Sequence, residues 1–289
     1  MRKKSIYKTE YGKKQIFDLY DRQLAELDIP YEDGLVKTSY GYTHVIKTGN
    51  HKGSPLMIFH GGNATTAYTL LSLKFLLKDF LIYGVDTIGH PGKSDEVSLS
   101  HKKYDYGKWA SEVITGLGYD SIRCFGGSFG AGILAKTMCV APEKISKAVL
   151  YVPAGIKNAP SYKLASMGMP MVMYWITGNE NWLLKSILPM SLDIKHIDKN
   201  LYKTAKSSID YAKIKTRMPN NVDQDLMRKC CAPTLLIAST KDCLFPAHKV
   251  IPQAKKMIND CTIHKITDRG HIHRLRSEEE RMIIDFLKE

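Results

Sequence analysis

No stretch of this 289-residue sequence stays apolar long enough to span a bilayer. The longest charge-free run among its apolar stretches goes from Leu164 to Asn179. It is 16 residues long and broken by Pro170, short of the roughly 18–20 residues a spanning helix needs. Cysteine is sparse: six residues, at 124, 139, 230, 231, 243 and 261, with no CxxC pair. Cys230 and Cys231 are too close for an easy bridge, so a disulfide frame is not expected. The start, MRKKSIYKTEYGKKQ, is basic but has no apolar core behind it, which argues against a secretory signal. Reduced thiols in a cytoplasm are the expectation. Internal repeats and low-complexity tracts are absent. Acids are also few, 29 Asp and Glu against 42 Lys and Arg, for a net +13. Such a balance raises polyanion or membrane-surface partners as a prior, although no nucleic-acid motif accompanies it.

What is present is an ordinary globular composition, 44% apolar or aromatic, which excludes wholesale disorder. The length fits about two domains, or one large sheet with an insertion. Residues 11–27 read as an amphipathic helix, with Ile16, Leu19, Tyr20, Leu24 and Leu27 near one face. Short β-rich runs follow at 35–40, 42–47, 56–60, 81–86, 121–126, 147–152, 234–239 and 261–266. Gly41 alone joins the first two, which suits a hairpin. Helical stretches at 104–118, 129–140, 247–258 and 277–288 separate most of the others. This alternation predicts an α/β fold with a mostly parallel sheet covered on both faces. The runs at 56–60, 81–86, 147–152 and 234–239 are nearly continuous apolar blocks, as doubly buried parallel strands are. Residues 155–229 break the alternation with helical or irregular pieces. They read as an insertion placed where a lid would sit, between core segments 1–154 and 230–289.

The strongest local signal is Gly126-Gly127-Ser128-Phe129-Gly130, directly after one strand run and directly before a helical one. In that context Gly-x-Ser-x-Gly is a nucleophile elbow. The flanking glycines leave room for neighbouring backbone, and the helix start favours negative charge at the serine. A serine hydroxyl needs a base. Of ten histidines, His271 lies in the loop after the last strand, on the same sheet edge as Ser128. His273 is its nearest rival. The imidazole in turn needs a carboxylate. Asp242 stands three residues after the strand TLLIAS, ahead of the weaker candidates Asp268 and Asp223. An anion hole would use the Phe129 amide and an amide of the loop His60-Gly61-Gly62-Asn63, with Gly62 first and Asn63 as the alternative. His60 reads as a structural residue of that loop.

These pieces resemble the α/β-hydrolase superfamily. The matching motifs are HGG at 60–62, DTIGHPGKSD at 86–95, GGSFG at 126–130, the Asp242 loop and RGH at 269–271. The resemblance implies an eight-stranded sheet with an antiparallel second strand and a cap after the sixth. The N-terminal helix followed by TSYGYTHVIKTG is similar to bacterial carboxylesterase-like members. Ester hydrolysis through an acyl-enzyme is therefore the leading expectation, with a small-molecule ester as substrate and no metal or organic cofactor. GGSFG is also close to the GGSWG of proline iminopeptidases, which makes amide hydrolysis the second reading. Here, however, Asn63-Ala64 follows HGG in place of a proline-glycine pair, and the insertion is poor in acids. A non-catalytic ligand-binding hydrolase fold is the third. Asp86 to Ser94 reads as a structural turn. Thr87 stands where a phosphate loop would have its first glycine.

The insertion has two textures. Residues 164–189 hold Met167, Met169, Met171, Met173, Trp175, Trp182, Leu183 and Leu184, adaptable apolar side chains. They predict a lid over an apolar acyl pocket, with Met171, Trp175 and Trp182 as candidate lining. Simple packing onto the core is the alternative for most of them. The second texture is Lys195, Lys199, Lys203, Lys206, Lys213, Lys215 and Arg217. The first four recur opposite Ile197, Leu201, Ala205 and Ile209, as on one basic amphipathic helix.

Overall fold

A computed structural model describes residues 5–160, 165–213 and 217–289. Leu164 and Lys215, named above, lie outside them. In chain order the elements are α1 (Glu10–Ala25), β1 (Tyr31–Thr38), β2 (Gly41–Gly49), β3 (Ser54–Phe59), α2 (Thr66–Ser72), β4 (Phe80–Val85), α3 (Asp105–Gly116), β5 (Ile122–Gly127), α4 (Phe129–Val140) and β6 (Ile145–Tyr151). Then come α5 (Ala165–Thr177), α6 (Glu180–Ser191), α7 (Lys199–Tyr211), α8 (Gln224–Met227), β7 (Thr234–Ser239), α9 (Ala247–Met257), β8 (Cys261–Ile266) and α10 (Ser277–Lys288). Among the described residues, no helix is long and apolar enough to cross a membrane.

The eight strands form one sheet in the order β1-β2-β4-β3-β5-β6-β7-β8. β2 runs antiparallel to both β1 and β4, and every other pairing is parallel. This is the mostly parallel eight-stranded sheet that the sequence implies. Helices cover both faces. Trp109 of α3, Leu134 of α4 and Val250 of α9 share one apolar cluster with Met57 and Leu236. On the opposite face Tyr20 and Leu24 of α1, Leu70 of α2 and Ile283 of α10 pack with Leu56, Ile58 and Ile237. Alternate strand residues thus feed two cores, which is why the central strands look apolar throughout.

Three boundaries differ from expectation. β1 begins at Tyr31, four residues before the apolar run, because the ladder continues to pair Tyr31 with Thr48 where the side chains are exposed. The helix α2, capped by the Thr65 hydroxyl on the Tyr68 amide, has no counterpart in the periodicity reading. The basic stretch at 195–209 is not one helix. Lys195 sits in a single 3-10 turn, and α7 starts afresh at Lys199, where Asp198 accepts from the amides of Asn200 and Leu201. A side chain that caps that well stops a helix from running through it.

Candidate functional site

β5 runs into α4 without a loop, so Ser128 occupies the turn between them. Its backbone is forced to φ 52° and ψ −113°, a strained conformation for a residue with a side chain. Two glycines make that turn possible. A Cβ on Gly126 would lie 2.6 Å from the Gly130 carbonyl oxygen, and one on Gly130 would collide with the carbonyl of Phe59 in the neighbouring strand. The Ser128 amide donates to the Tyr151 carbonyl at the end of β6 (2.9 Å), which ties the elbow to the sheet.

His271 Nε2 lies 3.0 Å from Ser128 Oγ, and its Nδ1 lies 2.8 Å from Asp242 Oδ2. With Nδ1–H donating to the carboxylate, Nε2 is left to accept the serine proton. Asp242 is buried, and its Oδ1 accepts from the amides of Leu244 (2.7 Å) and Phe245 (2.9 Å). Burial alone would raise this carboxyl. The imidazole of His271 and the two amides outweigh it and hold the group below the ordinary carboxylate range. The loop before His271 is fastened at Arg269. Its carbonyl accepts from the Ser239 hydroxyl and the Lys241 amide, and its guanidinium pairs with Glu279.

The loop after β3 faces the elbow. A Cβ on Gly61 would lie 3.8 Å from the Ser128 Cβ, and one on Gly62 3.7 Å from the Phe129 Cβ. Asn63 adopts φ 55°. Among the described residues, the amides of Gly62 and Phe129 meet no acceptor within the protein. His60 is fully used in holding this loop. Its Nδ1–H donates to the Gly61 carbonyl (2.8 Å), and its Nε2 accepts from the Thr87 amide (3.1 Å).

The structure therefore brings Ser128, Asp242, His271, Phe129 and Gly62 together. His273 is turned elsewhere, toward Tyr151, and neither Asp268 nor Asp223 hydrogen-bonds His271. Met171 and Trp182 pack in an apolar cluster with Tyr174, Leu183 and Ile187 of the same segment and with Ile272, the residue after His271. Trp175 is 65% exposed. Three features escape sequence reading. The Phe245 ring stands edge-on to His271 at 5.4 Å. Tyr151 and His273 form a pair across 122 residues. A second carboxylate–histidine set joins Asp86, His44 and Asp33, with the Tyr20 hydroxyl on Asp86. In that set both imidazole nitrogens already face carboxylates, so it has no base to offer. It fixes the Asp86–Ser94 turn, where the Lys93 amide also donates to Asp86.

No protein-family model matches the chain. Carboxylesterase YbfK of Bacillus subtilis is 24% identical over 286 residues, covering 94% of this chain and 93% of that protein. The proline iminopeptidase of Heyndrickxia coagulans is 26% identical over 126 residues, only 43% of each chain. Among solved structures, naproxen esterase of Bacillus subtilis superposes with a TM-score of 0.82 at 18% identity, over 96% of this chain and 99% of that one. Sheet order and likeness along nearly the whole chain give this protein the α/β-hydrolase fold, and its sequence is similar to that of Bacillus carboxylesterases.

Proposed function

We propose that the protein is a serine carboxylesterase acting on a small-molecule ester through an acyl-enzyme. The observation that carries this reading is the pair of contacts at His271, 3.0 Å to the Ser128 hydroxyl and 2.8 Å to Asp242. Ser128 attacks the ester carbonyl while His271 takes its proton, and Asp242 orients the imidazole and stabilises its charged form. The amides of Phe129 and Gly62 receive the developing oxyanion, each donor lowering the barrier by about 3 kcal/mol. His271 then protonates the leaving alcohol, and a water deprotonated by the same imidazole releases the acid. Nothing in this sequence of steps calls on a metal or a cofactor. Segments 1–154 and 230–289 form the hydrolase core in this reading, and 155–229 is its cap. We place the enzyme in the cytoplasm, with no nucleic-acid partner.

Ester is preferred over amino-terminal peptide bonds for a specific reason. A peptidase of that kind needs free carboxylates in the cap to hold the substrate amine. Here the Tyr202 hydroxyl donates to Glu180, Asp210 takes Tyr174 and Lys206, and Asp198 takes two amides and Arg274. Asp193 and Asp223 accept amides at helix starts, and Asp225 lies 3.6 Å from Arg228. Ser128→Ala should abolish hydrolysis of p-nitrophenyl esters and labelling by a fluorophosphonate while the protein stays folded. Retained turnover in that variant would refute the assignment. Faster cleavage of proline β-naphthylamide than of any short acyl ester would favour the peptidase.

A further inference from the structure

Ser128 and His271 come from loops 143 residues apart, and their productive contact is one hydrogen bond long. Something besides that contact must hold the loops in register. We infer that Tyr151 and His273 form a brace that sets the position of the base against the nucleophile. This inference rests on the catalytic reading above.

The brace is continuous from one loop to the other. At its lower end Tyr151 is part of the elbow. Its carbonyl accepts the Ser128 amide (2.9 Å), and its ring edge would touch a Cβ on Gly127 at 3.7 Å. A bulkier residue before the nucleophile would have to compete with that ring for space. At its upper end the Tyr151 hydroxyl lies 2.9 Å from His273 Nε2. His273 Nδ1 lies 2.9 Å from the carbonyl of Gly270, the residue that precedes His271. A carbonyl only accepts, so Nδ1 must carry the proton, Nε2 must accept, and the Tyr151 hydroxyl must donate. The chain of donors therefore has one direction only.

That direction requires a neutral imidazole. Burial supplies it: enclosure and the neighbouring Arg269 charge outweigh the Gly270 carbonyl and push His273 down to about 4. Through the range in which an ester hydrolase works, His273 stays an acceptor toward Tyr151. It also places no positive charge two residues from the base. His273 does not touch the reacting atoms; it is a positioning residue that acts on His271 through the Gly270 carbonyl.

Three variants test this. Tyr151→Phe keeps the ring and removes the hydroxyl. His273→Leu removes both hydrogen bonds. His273→Asn keeps an amide donor near the Nδ1 position. We expect Tyr151→Phe and His273→Leu each to lower kcat about tenfold, the scale of a small misplacement of reacting groups. KM should stay within about twofold, since neither side chain hydrogen-bonds the Ser128 hydroxyl or the amides of Phe129 and Gly62. The rate of fluorophosphonate labelling should fall by the same factor, and His273→Asn should recover part of the loss. If Tyr151→Phe and His273→Leu turn over ester at the wild-type kcat, the brace is wrong while the catalytic assignment stands. The brace is equally wrong if kcat falls only as far as the folded fraction measured by circular dichroism. If wild-type protein takes up neither ester nor phosphonate, the catalytic assignment falls, and the brace goes with it.

Discussion

His90 is 2% exposed among His60, Tyr106 and Phe129, and neither of its ring nitrogens meets a partner within the protein. Burial pushes it down to about 3, and the nearby His60 adds to the effect. In the unfolded chain it would titrate near 6.5. The folded protein thus refuses a proton that the unfolded chain accepts, and stability is lost as pH falls below that value. His60 and His273, both lowered by burial, act in the same sense. His44 acts oppositely. Burial disfavours its charge, but Asp86 and Asp33 outweigh that and raise it, so its contribution is full below 6.5 and fades as pH climbs through the folded value. The lowered carboxylates Asp86 and Asp242 weaken the fold only in stronger acid. Between pH 7 and pH 5 the neutral histidines therefore dominate. His90→Leu removes one of them together with two unpaired buried nitrogens. Its stability advantage over wild type should widen by about 2 kcal/mol from pH 7 to pH 5. Urea midpoints at the two values measure this, and parallel decline of both proteins would contradict it. At the site itself, Asp242→Asn should lower kcat by about three to four orders of magnitude through loss of the correct tautomer, as read in steady-state ester kinetics.

At the scale of elements, legibility in the sequence follows how local the constraint is. The central strands could be read because burial on both faces leaves a run of apolar residues with no polar alternation. The elbow could be read because its turn needs two glycines at fixed offsets from the serine. The start of β1 could not, since residues 31–35 are exposed and only main-chain pairing defines them. The break before α7 was hidden for the opposite reason. The lysines kept helical spacing across it, and one aspartate cap overrode that spacing. Tyr151–His273 and His44–Asp86 leave no trace in periodicity, because each joins side chains from different strands and loops. Gly130→Ala would drive a methyl into the Phe59 carbonyl, which belongs to a central strand and cannot step aside. The variant should lose about 2–3 kcal/mol or more of stability. An unchanged urea midpoint would show that α4 can retreat from β3.

For the molecule as a whole, the excess of basic groups matters less than where the insertion is attached. Residues 155–229 hold 12 Lys and Arg against 6 Asp and Glu, yet Lys206 is already spent on Asp210 and Glu180. The insertion touches both loops that carry the proposed chemistry. Ser208 of α7 donates to Asn63 in the loop after β3 (3.3 Å), and the Ile272 amide donates to the Met190 carbonyl in α6 (2.9 Å). α7 is held from behind by the N-terminal segment. The Lys8 amide donates to the Tyr211 carbonyl, the Lys213 amide donates to the Ile6 carbonyl, and Gln23 donates to Thr204 at 2.8 Å. At the centre of that contact Gly12 admits the Tyr211 side chain, where a Cβ would lie 2.8 Å from the Tyr211 Cβ. Gly12→Leu should therefore pry α1 from α7 and loosen the loop after β3 through Ser208 and Asn63, leaving the sheet intact. We expect faster proteolysis between residues 191 and 213 and a several-fold fall in kcat. The free energy of global unfolding should fall by less than about 1 kcal/mol, since the buried residues of α7 are Thr204 and Ser208. Lys14→Leu, on an exposed position of the same helix, controls for added apolar bulk. If Gly12→Leu lost kcat and the global midpoint together, α1 would be a support of the whole sheet and not a fastening for the helix above the site.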